Sequence, residues 1–114
     1  ETEKERFIGF YFNGMREEPY PGEDRMIIPS PKVATYDLKP EMSIAELTNK
    51  LIERMALNVY NFIVVNIANP DMVAHSGNIG AAISACQVTD ECVWRIAREI
   101  KNAIKQNRLE EILD

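Results

Sequence analysis

The chain has 114 residues, the length of one ordinary domain, and 46% of them are hydrophobic, enough for a packed core and too many for a disordered chain. The net charge of −5 mixes both signs with no basic run, which argues against non-specific nucleic-acid binding. No apolar stretch approaches the ~20 residues of a membrane helix, so no membrane partner is expected.

In chain order, Phe7-Ile8-Gly9-Phe10-Tyr11-Phe12 is short and aromatic and is predicted to be a strand, closed by the turn signal Asn13-Gly14. Residues 16–31 are rich in Glu, Pro and Gly and predict a surface loop, with a brief pairing at Arg25–Ile28 and a short strand at Val33–Tyr36. Ser43 opens a helix. Ser43-Ile44-Ala45-Glu46 fits a capping box, Ile44, Leu47, Leu51 and Met55 recur at helical spacing, and Asn58 is the expected stop. The apolar segment 61–68 shows little alternation, which predicts a strand buried on both faces of a parallel sheet. A long helix is expected from about Asn78 to Gln106, with Ile79, Ile83, Cys86, Val93, Ala97, Ile100 and Ile104 as its apolar stripe. At that length it spans ~43 Å, against a radius of gyration near ~14 Å for a compact domain of this size. It therefore breaks, near Asn107, or belongs to a larger body, with Leu109, Ile112 and Leu113 as a continuation.

This order predicts an α/β fold in which a parallel sheet is flanked by helices. A doubly buried strand needs neighbours on both edges, and the segment at 7–12 is the one convincing partner, so the sheet is expected to be incomplete. The start at Glu1 in place of Met points to a trimmed or partial chain, without a visible signal peptide. Cys86 and Cys92 lie on different helix faces without a Cys-x-x-Cys partner, which predicts buried or half-buried thiols in a reducing cytosol.

Chemistry concentrates in Asn69-Pro70-Asp71-Met72-Val73-Ala74-His75, directly after the 61–68 segment. Ligands of open α/β sheets bind beyond the carboxyl ends of the strands. Asp71 offers a hard oxygen there and His75, the only histidine, a neutral nitrogen, a set suited to manganese, zinc or iron. By spacing alone this is a weak signal, and an Asp capping a turn with a backbone-satisfied His is the stronger reading. Gly77-Asn78 offers amides for an anion, though an ordinary helix entry capped by Ser76 or Asn78 is the stronger reading there. Lys4 and Arg6 precede the first strand and can meet a phosphate, against the plainer reading of solvated charge. Glu17-Glu18 and Glu23-Asp24 read as solvent-facing charge, and Trp94 as a packing residue.

Several motifs occur together and in order: Glu1-Thr2-Glu3-Lys4, Phe12-Asn13-Gly14, Glu17-Glu18-Pro19, Gly22-Glu23-Asp24-Arg25, Pro29 through Leu38, Pro40-Glu41-Met42-Ser43 and Asn69 through Gly77. Over residues 1 to about 100 the chain resembles the cofactor-independent (2,3-bisphosphoglycerate-independent) phosphoglycerate mutases of bacterial type, in the alkaline phosphatase superfamily. The resemblance implies part of an alkaline-phosphatase-like sheet and a glycolytic isomerase of the cytoplasm, usually monomeric. Such an enzyme interconverts 3-phosphoglycerate and 2-phosphoglycerate through a phosphoserine at a two-manganese centre. Asp71 and His75 are then ligands of one manganese, and Lys4 lies near the transferred phosphoryl group. Met15 and Ala74 stand where the family often has glycine, and Arg6-Phe7 replaces an aromatic-and-histidine stretch. The family's nucleophilic serine segment, its inserted transferase domain and its Asp-His-Gly-Asn and final histidine ligands are not in this sequence. The chain is thus expected to be a single unit, 1–114, from the middle-to-late part of the phosphatase domain, partnered by the remainder of its parent protein. The alternatives are a non-catalytic remnant or scaffold module, or another metal-dependent phosphotransferase or hydrolase of the superfamily.

Overall fold

The structure, a computed structural model, describes residues 1–113, with the side chains of 1–107. Its elements are a π-helical turn at Phe7–Tyr11, a 3-10 turn at Tyr36–Leu38, and three α-helices: α1 (Ile44–Ala56), α2 (Asn69–Ala74) and α3 (Ile79–Leu113). No strand is present among the described residues, so the expected parallel sheet is not formed within this chain.

The segment predicted as the first strand coils on itself. Phe12 N–H donates to the Phe7 carbonyl at 3.0 Å and Met15 N–H to the Phe10 carbonyl at 2.8 Å. Backbone groups without a neighbouring strand take internal partners instead. The second predicted strand, 61–68, lacks a ladder and is largely exposed: Phe62 is 73% and Val65 42% accessible. It borders an open groove of about 690 Å³, lined also by Ile8, Phe10, Ile27 and Leu51. The segment is apolar on both faces, but pairing needs neighbours that the described residues do not supply. The pairing expected at Arg25–Ile28 and the strand at Val33–Tyr36 are likewise absent, and Tyr36 instead begins the 3-10 turn.

Helix α1 has the predicted start and stop. Ile44, Leu47, Thr48 and Leu51 are its buried side, and Asn58 ends it in the left-handed region at φ 53. Its cap differs from the expected box. Ser43 Oγ donates to the Pro29 carbonyl at 2.6 Å, and the carboxylate of Glu1 accepts the Ser43 N–H at 2.8 Å. A carboxylate at a helix N-terminus also complements the helix dipole.

Helix α3 does not break at Asn107. It runs for 35 residues, and the molecule extends 55 Å along its longest axis with a radius of gyration of 16.4 Å. The side chains of Leu109, Ile112 and Leu113 lie outside those described. Its predicted apolar stripe faces outward, with Ile79 77%, Ile83 55% and Ile104 47% accessible, and Trp94, expected to pack, is 61% accessible. The helix docks instead through Ala81, Ala85 and Cys92; Cys86, expected to be at least half-buried, is exposed. Small residues let the helix approach closely the core of Met42, Ala68 and Val73, against which Tyr36 and Met72 pack. The helix thus carries apolar residues on two sides, and this chain covers one.

Met15 has φ 61, following Gly14 at φ 70. A left-handed conformation costs an L-residue roughly 1–2 kcal/mol, partly offset on glycine substitution by the larger entropy of the unfolded chain. Met15→Gly is therefore expected to raise stability by about 0.5–1 kcal/mol in urea denaturation, because Met15 is 69% exposed and gives up little packing.

Candidate metal and phosphate site

Pro70 sits in the first turn of α2, where its missing N–H is not needed. The residues expected to form a loop here are thus helical, and the four-residue spacing puts Asp71 and His75 on one helix face. The helix stops where Ser76 Oγ donates to the Val73 carbonyl at 2.6 Å and Gly77, at φ 75, donates its N–H to the Ala74 carbonyl. The Gly77 amide is thereby used within the chain and does not serve an anion. Asn78 Oδ1 accepts the Ala81 N–H at 3.0 Å, so Asn78 caps α3, the ordinary helix entry expected there.

Underneath, Asn69 is fully buried and its Nδ2 donates to the Pro40 carbonyl at 2.9 Å. This bond and the buried Val73 side chain fix α2 on the loop before α1, leaving Asp71 and His75 pointing outward with exposed side chains.

Lys4 reaches this face from the other end of the sequence. Residues 1–3 lie along the 28–43 loop: Thr2 N–H donates to the Ile28 carbonyl at 3.0 Å, Ser30 Oγ donates to Glu1 Oε2 at 2.9 Å, and Tyr36 Oη donates to Glu3 Oε1 at 2.9 Å. Burial pushes the Tyr36 hydroxyl above its ordinary value, and the bond to Glu3 acts in the same direction. The chain then turns at Lys4, which has φ 67, and Lys4 Nζ lies 2.6 Å from Asp71 Oδ2. His75 Nε2 lies 3.5 Å from the same oxygen. The structure thus brings together the three residues singled out in the sequence. Arg6 is not among them: it pairs with Glu17 at 3.1 Å and stacks on Phe10. Sequence reasoning missed Glu1 and Glu3 as the residues that place Lys4, since nothing in a Glu-Thr-Glu run marks a carboxylate as a long-range clamp.

The hydrogen bond from Lys4 is the main cause holding the Asp71 carboxyl below its ordinary value; desolvation opposes it, and His75 adds to the lowering. As for metal chemistry, two donors each ~2.1 Å from one ion at a tetrahedral angle stand ~3.4 Å apart, and Asp71 Oδ2 and His75 Nε2 stand 3.5 Å apart. The pair therefore fits one divalent ion. Among the described residues no cluster of three or more His, Cys, Asp or Glu completes the coordination, so the fit is to part of a ligand set.

The model of the Metalloenzyme superfamily matches residues 1–106, and the chain belongs to that superfamily. Among its relatives are proteins named 2,3-bisphosphoglycerate-independent phosphoglycerate mutase: that of Moorella thermoacetica is 58% identical over 98 residues, which is 86% of this chain and 19% of the relative. That of Chloroflexus aggregans is 57% identical over 100 residues, 88% of this chain and 18% of the relative. In three dimensions the chain is similar to the crystal structure of Leishmania mexicana phosphoglycerate mutase at low cobalt concentration, with a TM-score of 0.82 and 29% identity over 87% of this chain and 18% of that one. The chain thus spans about a fifth of the length of the relatives it matches. No helix of the described residues is long and apolar enough to cross a membrane.

A carboxyl with a lowered folded-state value stabilises the fold above its unfolded value, and that contribution is lost as pH falls through the folded one. Lys4→Met removes the main cause of the lowering. The variant is expected to lose less stability than the parent chain between about pH 5 and about pH 2, read from urea midpoints across that range.

Proposed function

We infer that this chain is a segment of the phosphatase domain of a cofactor-independent phosphoglycerate mutase, an isomerase of glycolysis in the cytoplasm. In the complete enzyme 3-phosphoglycerate and 2-phosphoglycerate interconvert through a phosphoserine at a two-manganese centre. Asp71 and His75 are assigned to one manganese and Lys4 to the phosphoryl group. The nucleophilic serine, the inserted domain that holds the substrate, the remaining ligands and the rest of the alkaline-phosphatase-like sheet belong to the remainder of the parent protein. The observation that carries this reading is the convergence of Lys4, from near the start of the chain, on the Asp71–His75 pair of α2, within a chain so similar to named mutases.

The chemistry follows from the side chains. A bound divalent ion supplies positive charge at the transferring phosphoryl oxygens and lowers the pKa of an oxygen nucleophile. Asp71 and His75, on one face of α2, would hold that ion. Lys4 offers an ammonium at the same place, and cationic groups held ready there need no reorganisation as charge develops in transfer. A ligand pair alone does not complete catalysis, because a metal site also needs its other donors and the nucleophile.

The second reading, a non-catalytic module of the same superfamily, is favoured by one observation. No group of three or more metal-binding side chains is present among the described residues. Activity of a complete enzyme carrying this segment separates the two, and the chain alone tests the segment reading. The 114-residue chain with manganese and 3-phosphoglycerate is expected to form no 2-phosphoglycerate in a coupled enolase assay, and robust turnover would refute the segment reading. In a complete enzyme carrying this segment, His75→Ala is expected to abolish most activity and to lower manganese content. Full manganese occupancy in that variant would remove His75 from the ligand set, and full activity in it would support the non-catalytic reading.

A further inference from the structure

Lys4 Nζ and His75 Nε2 converge on one atom, Asp71 Oδ2, at 2.6 and 3.5 Å. That oxygen lies at a ligand-pair spacing from His75 Nε2. An ammonium on it holds the place of a cation, with its charge, its donors and its closeness. The lysine is held there by its surroundings. Its side chain is 26% exposed while that of Asp71 is 57% exposed, its Nζ also lies 5.3 Å from the Phe7 ring centroid, and its backbone is in the left-handed region at φ 67. That conformation, which costs an L-residue roughly 1–2 kcal/mol, turns the chain so that the side chain leads toward α2. The tether of residues 1–3 to the 28–43 loop, through Ile28, Ser30 and Tyr36, fixes where the side chain begins.

We propose that Lys4 is a placeholder cation: its ammonium occupies the metal-facing oxygen of Asp71 when no ion is bound, and a divalent ion enters by displacing it. Displacement breaks no covalent bond. The ammonium leaves Asp71 Oδ2 with its protons, the ion takes that oxygen together with His75 Nε2, and the released Lys4 head is free to meet an anion beside the metal. This deepens the reading of Asp71 and His75 as a ligand pair and rests on it. It assigns Lys4 two successive partners, the carboxylate before metal loading and an anion after it.

The test uses the complete enzyme that carries this segment and Mn²⁺ alone, with bound ion counted from the electron paramagnetic resonance signal of the unbound ion. Removing the competing charge by Lys4→Met is expected to tighten Mn²⁺ binding about fivefold, from one unit charge a few ångströms away in high dielectric. Lys4→Arg, which keeps the charge, is expected to leave binding near that of the unsubstituted enzyme. A second readout addresses displacement itself. Acylation of the Lys4 amine, followed by mass spectrometry, is expected to quicken on adding Mn²⁺, and to be already fast without metal in Asp71→Asn. If Asp71→Asn and His75→Ala weaken Mn²⁺ binding while Lys4→Met does not tighten it, or Lys4 acylation ignores the metal, the placeholder role is overturned and the ligand pair stands. If neither Asp71→Asn nor His75→Ala changes Mn²⁺ binding, the ligand pair falls and the placeholder role with it.

Discussion

The arrangement of this chain depends on a carboxylate at its first residue. Glu1 is 8% exposed and accepts from two donors, the Ser43 N–H at the start of α1 and the Ser30 hydroxyl. Buried charge is tolerated only where hydrogen bonds replace the lost water. Here the two donors lie 29 and 42 residues away, so satisfying one carboxylate also fixes the path of the opening segment across the loop before α1. Lys4 follows three residues later, and its reach to Asp71 is set by that path. The helix that carries Asp71 is fixed by the same stretch of chain, through the bond from Asn69 to the Pro40 carbonyl. Both halves of the site therefore share one support, and a disturbance of the 28–43 loop moves them relative to each other.

The elements differ in how far local sequence decided them. α1 was legible because its apolar residues recur at helical spacing and its end is marked by an asparagine that tolerates a positive φ. α3 was legible as a helix, but the face it buries was not. Periodicity marked the isoleucines as the core stripe, whereas alanines at Ala81 and Ala85 make the contact. Close packing of a long helix on a small core favours small side chains, and a sequence pattern of large residues is silent about which side is covered when both sides are apolar. The two predicted strands fail for a related reason. Strand propensity is a preference for a pleated surface with neighbours, and Phe62 through Val65 have apolar side chains but no partner backbone in this chain.

The three residues singled out in the sequence lie together in the structure. Asp71 and His75 stood out by residue type and spacing, and Lys4 by its place in an ordered set of motifs. Their meeting in space could not be read from spacing, since it is made by hydrogen bonds spanning 27 to 42 positions. The outward stripe of α3 and the open 61–68 segment belong to the same account as the Asp71–His75 pair. Each is half of an arrangement: a helix covered on one side, an apolar segment without a ladder, an Asp–His pair without further donors among the described residues.

The left-handed backbone at Lys4 sets two selective pressures against each other at one position. Glycine is the residue that relaxes such a backbone, and a search for sturdier variants would favour it there. Glycine also carries no ammonium. Lys4→Gly would thus relax the backbone and remove the ammonium in one step, so torsion and charge at this position can be told apart only by substitutions that keep one of the two.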